Sequence, residues 1–125
     1  MLNIGAYFEI PVLDLDRAMA FYAKLLNCDF TQDTIHGNKM AFFPLYNGEP
    51  GITGGLCKGD TYKPSLTGTL IYLTTENIDA SLERVVSMKA EILFPKTSAG
   101  EWGEVAEFKD SEGNRVALFQ AKVKS

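Results

Sequence analysis

Apolar positions along this chain alternate, then fall on a helical spacing, then alternate again, and that succession occurs twice. In Ile4–Val12, the residues Ala6, Phe8, Ile10 and Val12 share one parity, while Gly5, Tyr7, Glu9 and Pro11 share the other. This predicts a strand with one apolar face. Asp14 suits a helix N-cap, and Asp16 suits the positive end of the helix dipole. Leu15, Ala18, Met19, Tyr22, Leu25 and Leu26 then form one apolar stripe at helical spacing. Asn27 can close that helix in a left-handed conformation. Strands are expected at Phe30–Ile35 and Lys39–Phe43, around a tight turn at Gly37-Asn38, and at the glycine-rich Ile52–Cys57.

After a polar connector, Gly59–Ser65, the order returns. A strand is expected at Thr69–Thr75. A helix capped by Glu76 or Asn77 follows, with Ile78, Leu82, Val85 and Met88 on its apolar side. Next come a strand at Ile92–Phe94, a loop at Thr97–Gly103 holding Trp102, and strands at Glu104–Lys109 and Arg115–Ala121 around a turn at Asp110–Asn114. A shift of 63 residues lays Leu15 on Ile78, Asp16 on Asp79, Met19 on Leu82 and Tyr22 on Val85. Two copies are too few for a solenoid. The reading is therefore an α+β fold in one domain, residues 1–125, built from two βαβββ units of about 1–58 and 66–125. The units form a curled mixed sheet around a cleft, with the helices outside. A cleft between such halves is a natural small-molecule site.

Charge narrows the partners. Twelve basic against sixteen acidic residues give a net charge of −4, and the basic residues are scattered, with a weak cluster only at Lys122 and Lys124. This balance disfavours nucleic acid and anionic membrane surfaces. Apolar runs such as Met40–Phe43 are far too short to span a bilayer, and the N-terminus lacks the pattern of a signal peptide, so a cytoplasmic location is expected. Cys28 and Cys57 are isolated thiols, neither a disulfide framework nor a zinc knuckle. Order is expected throughout, the last few residues excepted.

Two segments, IPVLDLDRAMAFY and FKDSEGNRVALFQ, stand near opposite ends of the chain. The first places an apolar strand before V-x-D-L and a helix with A-x-x-F-Y; the second is F-x-D-x-x-G-N before a short apolar strand. Together they resemble the vicinal oxygen chelate superfamily, which includes glyoxalase I, bleomycin- and fosfomycin-resistance proteins and extradiol dioxygenases. The resemblance implies the paired βαβββ fold and a homodimer, since many relatives complete the cleft with a second chain. Metal-dependent members hold one divalent ion with two His and two Glu, or close variants, for Lewis-acid catalysis. The matching positions here are Tyr7, Leu70, Ala117 and, within a residue or so, Gly55. None belongs to that His/Glu set, so the expectation is no metal, no cofactor and no glyoxalase I activity. The single histidine, His36, falls in the predicted hairpin. A Glu9–Cys57 pair on the same strand faces is the one unusual alternative metal site.

Three functions remain open. The leading one is a small-molecule-binding protein with an aromatic-lined, metal-free cleft, drawing on Tyr7, Cys57, Tyr72, Trp102, Arg115 and Phe119 as ligand-binding candidates. The second is a lyase or isomerase with Glu9 as general base and Tyr7 or Tyr72 as proton donor or oxyanion partner. The third is a partner-binding or regulatory module that has lost the site. Asp14, Asp110 and Asn114 belong to the recognition motifs, with capping and turn-shaping roles expected of them.

Overall fold

The computed structural model describes residues 1–123; Lys124 and Ser125, and the expectations that touch them, lie outside the described residues. The first unit runs β1 (Phe8–Pro11), α1 (Leu15–Leu26), β2 (Thr31–Ile35), β3 (Asn38–Phe42) and β4 (Gly54–Lys58). The second runs β5 (Tyr72–Thr74), α2 (Ile78–Ser87), β6 (Ile92–Ser98), β7 (Gly103–Lys109) and β8 (Arg115–Ala121), with a 3₁₀ turn at Gly100–Trp102. The βαβββ order therefore occurs twice, and the fold is α+β. The curled sheet takes the form of two four-stranded mixed sheets, ordered β1-β4-β3-β2 and β5-β8-β7-β6. In each, the first and last strands of the unit run parallel, so Glu9 lies opposite Gly55 and Tyr72 opposite Ala117. This shared register identifies Gly55 as the counterpart of Ala117.

Each helix covers one face of its own sheet and leaves the other open. Ile10, Val12, Leu56 and Ala41 pack beneath α1; Leu73, Ala106, Phe108, Val116 and Leu118 pack beneath α2. The helices also touch each other. Tyr22 and Phe21 of α1 reach Phe108 of β7, with ring centroids 6.5 and 5.9 Å away, so the two cores merge into one. The capping chemistry follows the sequence. Asp14 accepts from Arg17 N, Asn27 closes α1 at φ 52°, and Asn77 rather than Glu76 caps α2 by accepting from Ala80 N. Gln120, unmarked by any pattern, accepts from Ile78 N at 2.8 Å and anchors the start of α2 to β8.

Several boundaries differ from expectation. β1 begins at Phe8 rather than Ile4, β4 at Gly54 rather than Ile52, and β5 at Tyr72 rather than Thr69. Alternation marks extended chain, but a strand needs a ladder, and the leading residues hold no ladder register, although Ile71 O accepts from Ala117 N at 2.9 Å. β6 continues to Ser98 instead of stopping at Phe94, with its register broken between Ile92 and Phe94 and again between Phe94 and Thr97. Pro95 cannot donate to the ladder, yet β6 is an edge strand, where a proline and a bulge are tolerated. The hairpin turn is His36-Gly37, at φ 51° and 79°, not Gly37-Asn38; Ile35 pairs with Asn38 across it. Both central residues have positive φ, as a type I′ turn requires. Among the described residues, no helix is long and apolar enough to cross a membrane.

The two recognition segments meet in space. Glu112, from the D-x-x-G-N turn, accepts from the backbone N–H groups of Leu13 and Asp14 at 2.9 and 2.8 Å. It also takes a bidentate contact from Arg17 at 2.8 and 2.9 Å. Asn114 donates from Nδ2 to Pro11 O at 2.7 Å. Burial alone would raise the Glu112 pKa, but the hydrogen bonds from Arg17, Asp14 N, Ser111 and Leu13 N outweigh it and hold it near 2. The expected turn-shaping role of Asp110 and Asn114 thus extends further, to joining the units.

Candidate functional site

The open face of the first sheet follows from strand parity. Ile10 points to the core, so Tyr7, Glu9 and Pro11 point away from it; Leu56 points to the core, so Gly55 and Cys57 share the open face. Met40 and Phe42 lie opposite Cys57 and Gly55 on β3 and belong to that face too. The structure joins three of these groups with a fourth from the connector. Tyr7 donates to Glu9 Oε2 at 3.1 Å, and Tyr62 donates to Glu9 Oε1 at 2.9 Å. Cys57, with no exposed surface, forms the floor beneath them.

The electrostatics follow from this packing. Burial first, and the neighbouring Glu9 charge second, push the Cys57 thiol up to about 12, so it stays protonated and unreactive. The Tyr62 phenol rises to about 12, chiefly because its hydrogen bond to Glu9 favours the protonated form. Tyr7 is raised as well, by burial and then by Cys57 and Glu9. Both phenols are therefore fixed donors, and Glu9 is held from both oxygens. Tyr62 was not among the sequence candidates, because the Gly59–Ser65 connector carries no periodicity to orient it.

On the second sheet, Tyr72, Thr74, Ala117 and Phe119 share the open face, with Val105 opposite Phe119. Tyr72 is 53% exposed and Phe119 half-buried. Arg115 stands on this face as well, but as one half of a bidentate pair with Glu107, at 2.6 and 3.1 Å, rather than as a free exposed cation. Trp102 is 73% exposed, in the 3₁₀ turn that leads into β7. The next residue, Gly103, has φ 138°, and a Cβ there would collide with Gln120 O. Only glycine lets the chain pass from the tryptophan turn into the ladder. His36 stays in its hairpin turn, exposed.

The two units meet at a shallow hollow of about 150 Å³ lined by Glu9, Pro11, Lys63, Thr69, Ile71 and Arg115. Pockets for drug-sized ligands run to roughly 300–1,000 Å³, so this hollow alone does not enclose one. A wider depression of about 440 Å³ lies along the surface of α1, lined by Ala20, Ala23, Lys24, Asn27, Cys28 and Asp29. It is open to solvent and holds no aromatic side chain, so the open sheet faces are the better candidate.

The four positions at which the resemblance implies metal ligands do not fit a divalent ion. Gly55 offers no donor, and a Cβ there would already stand 3.1 Å from Phe42 Cδ1 and 3.2 Å from the Tyr7 hydroxyl. Ala117 is buried and apolar, and Leu70 precedes β5. Tyr7 is kept as a protonated donor. Among the described residues, no three His, Cys, Asp or Glu side chains group as a metal site, and Glu9 and Cys57 stand as a pair only.

Paired βαβββ units, each with one helix-covered and one open sheet face, define the structural class. The family model of the Glyoxalase/Bleomycin resistance protein/Dioxygenase superfamily matches residues 5–118, and the chain belongs to that superfamily. Among solved structures, it is similar to TnmS3, an antibiotic binding protein from Streptomyces sp. CB03234, at 26% identity over 97% of this chain and 98% of that one, with a TM-score of 0.66. A glyoxalase/bleomycin resistance protein from the same organism is 29% identical over 92% of this chain and 98% of that one, with a TM-score of 0.63. The fosfomycin resistance protein FosX from Listeria monocytogenes shares the fold at 19% identity, covering 100% of this chain and 95% of that one, with a TM-score of 0.66. No curated protein sequence matches the chain.

Proposed function

We propose that this protein binds a small aromatic or amphipathic molecule, without a metal, on the open faces of its two sheets. The observation that carries the reading is the chemistry of those faces: Tyr7, Tyr72, Phe119 and the neighbouring Trp102 are accessible aromatics, while the positions where relatives of the metal type need donors hold Gly, Leu and Ala. The likeness to an antibiotic binding protein points the same way. The seam hollow, about 150 Å³, is too small to enclose such a ligand by itself, and the proposal includes a homodimer in which a second copy closes the site. The test is a titration of Trp102 fluorescence against a panel of polycyclic aromatic antibiotics, with light scattering for the dimer. Saturable binding that weakens in Tyr72→Ala and Phe119→Ala supports the reading. Absence of binding across the panel, with the aromatics instead covered by a protein partner, favours an interaction module.

One observation favours a second reading, a lyase or isomerase. Glu9 sits accessible on the open face with two phenol donors at hand. As a general base it would exchange one phenol contact for the substrate proton. Glu9→Gln would then abolish turnover of a converted ligand, whereas a pure binding protein shows no turnover to abolish.

A further inference from the structure

Glu9 is a carboxylate with two donors and no cation. The ion pairs among the described residues are Arg17–Glu112, Lys96–Asp79, Lys96–Glu104 and Arg115–Glu107, and none includes Glu9. Each carboxylate oxygen accepts one phenol hydrogen. A carboxylate has about four acceptor sites in all, so each oxygen retains capacity for a further donor. Tyr7 and Tyr62 come from opposite sides in sequence, the lead-in to β1 and the connector, and between them they fix the carboxylate in place. Beside it lie Met40 and Phe42, the neighbours of Cys57 and Gly55 on β3. Two cations line the hollow beside it: Arg115 is already committed to Glu107, and Lys63, although on the same hollow, makes no ion pair with Glu9.

We propose that Glu9, held by Tyr7 and Tyr62, is the receptor for a protonated amine on the ligand, so that the ligand class is an amine-bearing aromatic molecule. This rests on the small-molecule-binding reading and makes it more specific. A pre-positioned anion with unfilled acceptor sites favours a charged donor over a neutral one, because the hydrogen bond is charge-assisted. Two fixed phenols remove the cost of ordering the carboxylate at the moment of binding. The half-buried ring of Phe42, with the buried Met40 behind that face, is the apolar surface that accepts the ring carrying the amine. Gly55 belongs to the same design, since it leaves the space in which the Tyr7 hydroxyl stands.

The test uses two probes of matched shape, 1-naphthylmethylamine and 1-naphthalenemethanol, titrated calorimetrically into the full chain at neutral pH. The amine is expected to bind roughly tenfold more tightly than the alcohol. In Glu9→Gln that ratio should fall to near one. Glutamine keeps the length of the side chain, accepts from one phenol through its Oε1 and donates to the other phenol oxygen through its Nε2, and near-ultraviolet circular dichroism verifies that the variant is folded. Equal affinity of the two probes for the wild-type chain, or a preference that survives in Glu9→Gln, overturns the amine receptor and leaves aromatic binding standing. Binding of neither probe, while the antibiotic panel still binds, overturns the amine receptor alone; binding of neither the probes nor the panel overturns both readings.

Discussion

The phenol of Tyr22 donates to the carboxylate of Asp110 at 2.6 Å, across 88 residues of sequence. Both groups are buried. The other oxygen of Asp110 accepts from the backbone of Glu112 and Asn114. One bond thus ties the middle of α1 to the turn that shapes β8. Removing only the hydroxyl leaves Asp110 its other donors, so Tyr22→Phe should cost about 1–2 kcal/mol. Asp110→Ala strands a buried phenol and two backbone N–H groups, and should cost about 3 kcal/mol or more. Urea denaturation of the two variants checks both the order and the size.

Glu112 sets an acid limit on the joint between the units. Its folded pKa, near 2, lies below the ordinary carboxylate value of 4.5. The unfolded chain therefore binds a proton at higher pH than the native chain does. The contribution is complete above about pH 4.5 and is lost as pH falls towards 2. Arg17 is partly exposed to solvent, which screens the pair, so the loss is about 2 kcal/mol rather than the full shift. Thermal melts of the wild type should fall steeply across that window, and Glu112→Gln should start lower at neutral pH and show a flatter fall.

Cys57 should be silent to thiol reagents. It is buried under the Tyr7–Glu9–Tyr62 cluster with its pKa raised to about 12, while Cys28 is only half-buried. Ellman's reagent should modify Cys28 first, slowly, since burial and Asp29 raise its pKa too. Cys57 should react only on unfolding. Tyr62→Ala, which removes part of the cover, should bring Cys57 into the native-state reaction.

Gly103 should tolerate no side chain. At φ 138°, and with Gln120 O where a Cβ would sit, Gly103→Ala requires the β7–β8 ladder to shift. A loss of about 2–4 kcal/mol is expected, together with a change in Trp102 emission, because the tryptophan turn is tied to β8 through Lys122 N.

Much of this architecture was legible in the sequence because it rests on local rules. The stripe from Leu15 to Leu26, the caps at Asp14 and Asn27, and the Asp110–Asn114 turn each depend on neighbours a few residues away. Phe21 shows the limit: it lies beside the stripe yet is buried, because a second unit packs against that side of α1. The site was legible only in part. Strand parity alone puts Tyr7, Glu9 and Cys57 on one face and Tyr72, Arg115 and Phe119 on another. Long-range partners were not: Tyr62 reaches Glu9 from an aperiodic connector, Glu107 claims Arg115 from the facing strand, and Glu112 reads as an ordinary turn residue until it meets Leu13 and Asp14.

On the proposed function, the open aromatic faces bind their ligand without a metal. The most direct measurement is a calorimetric titration of the purified protein with an aromatic antibiotic that quenches Trp102, carried out before and after dialysis against EDTA. One saturable isotherm with the same affinity in both preparations is expected. Binding that disappears with EDTA and returns with a divalent ion would contradict it, as would no saturable binding in either.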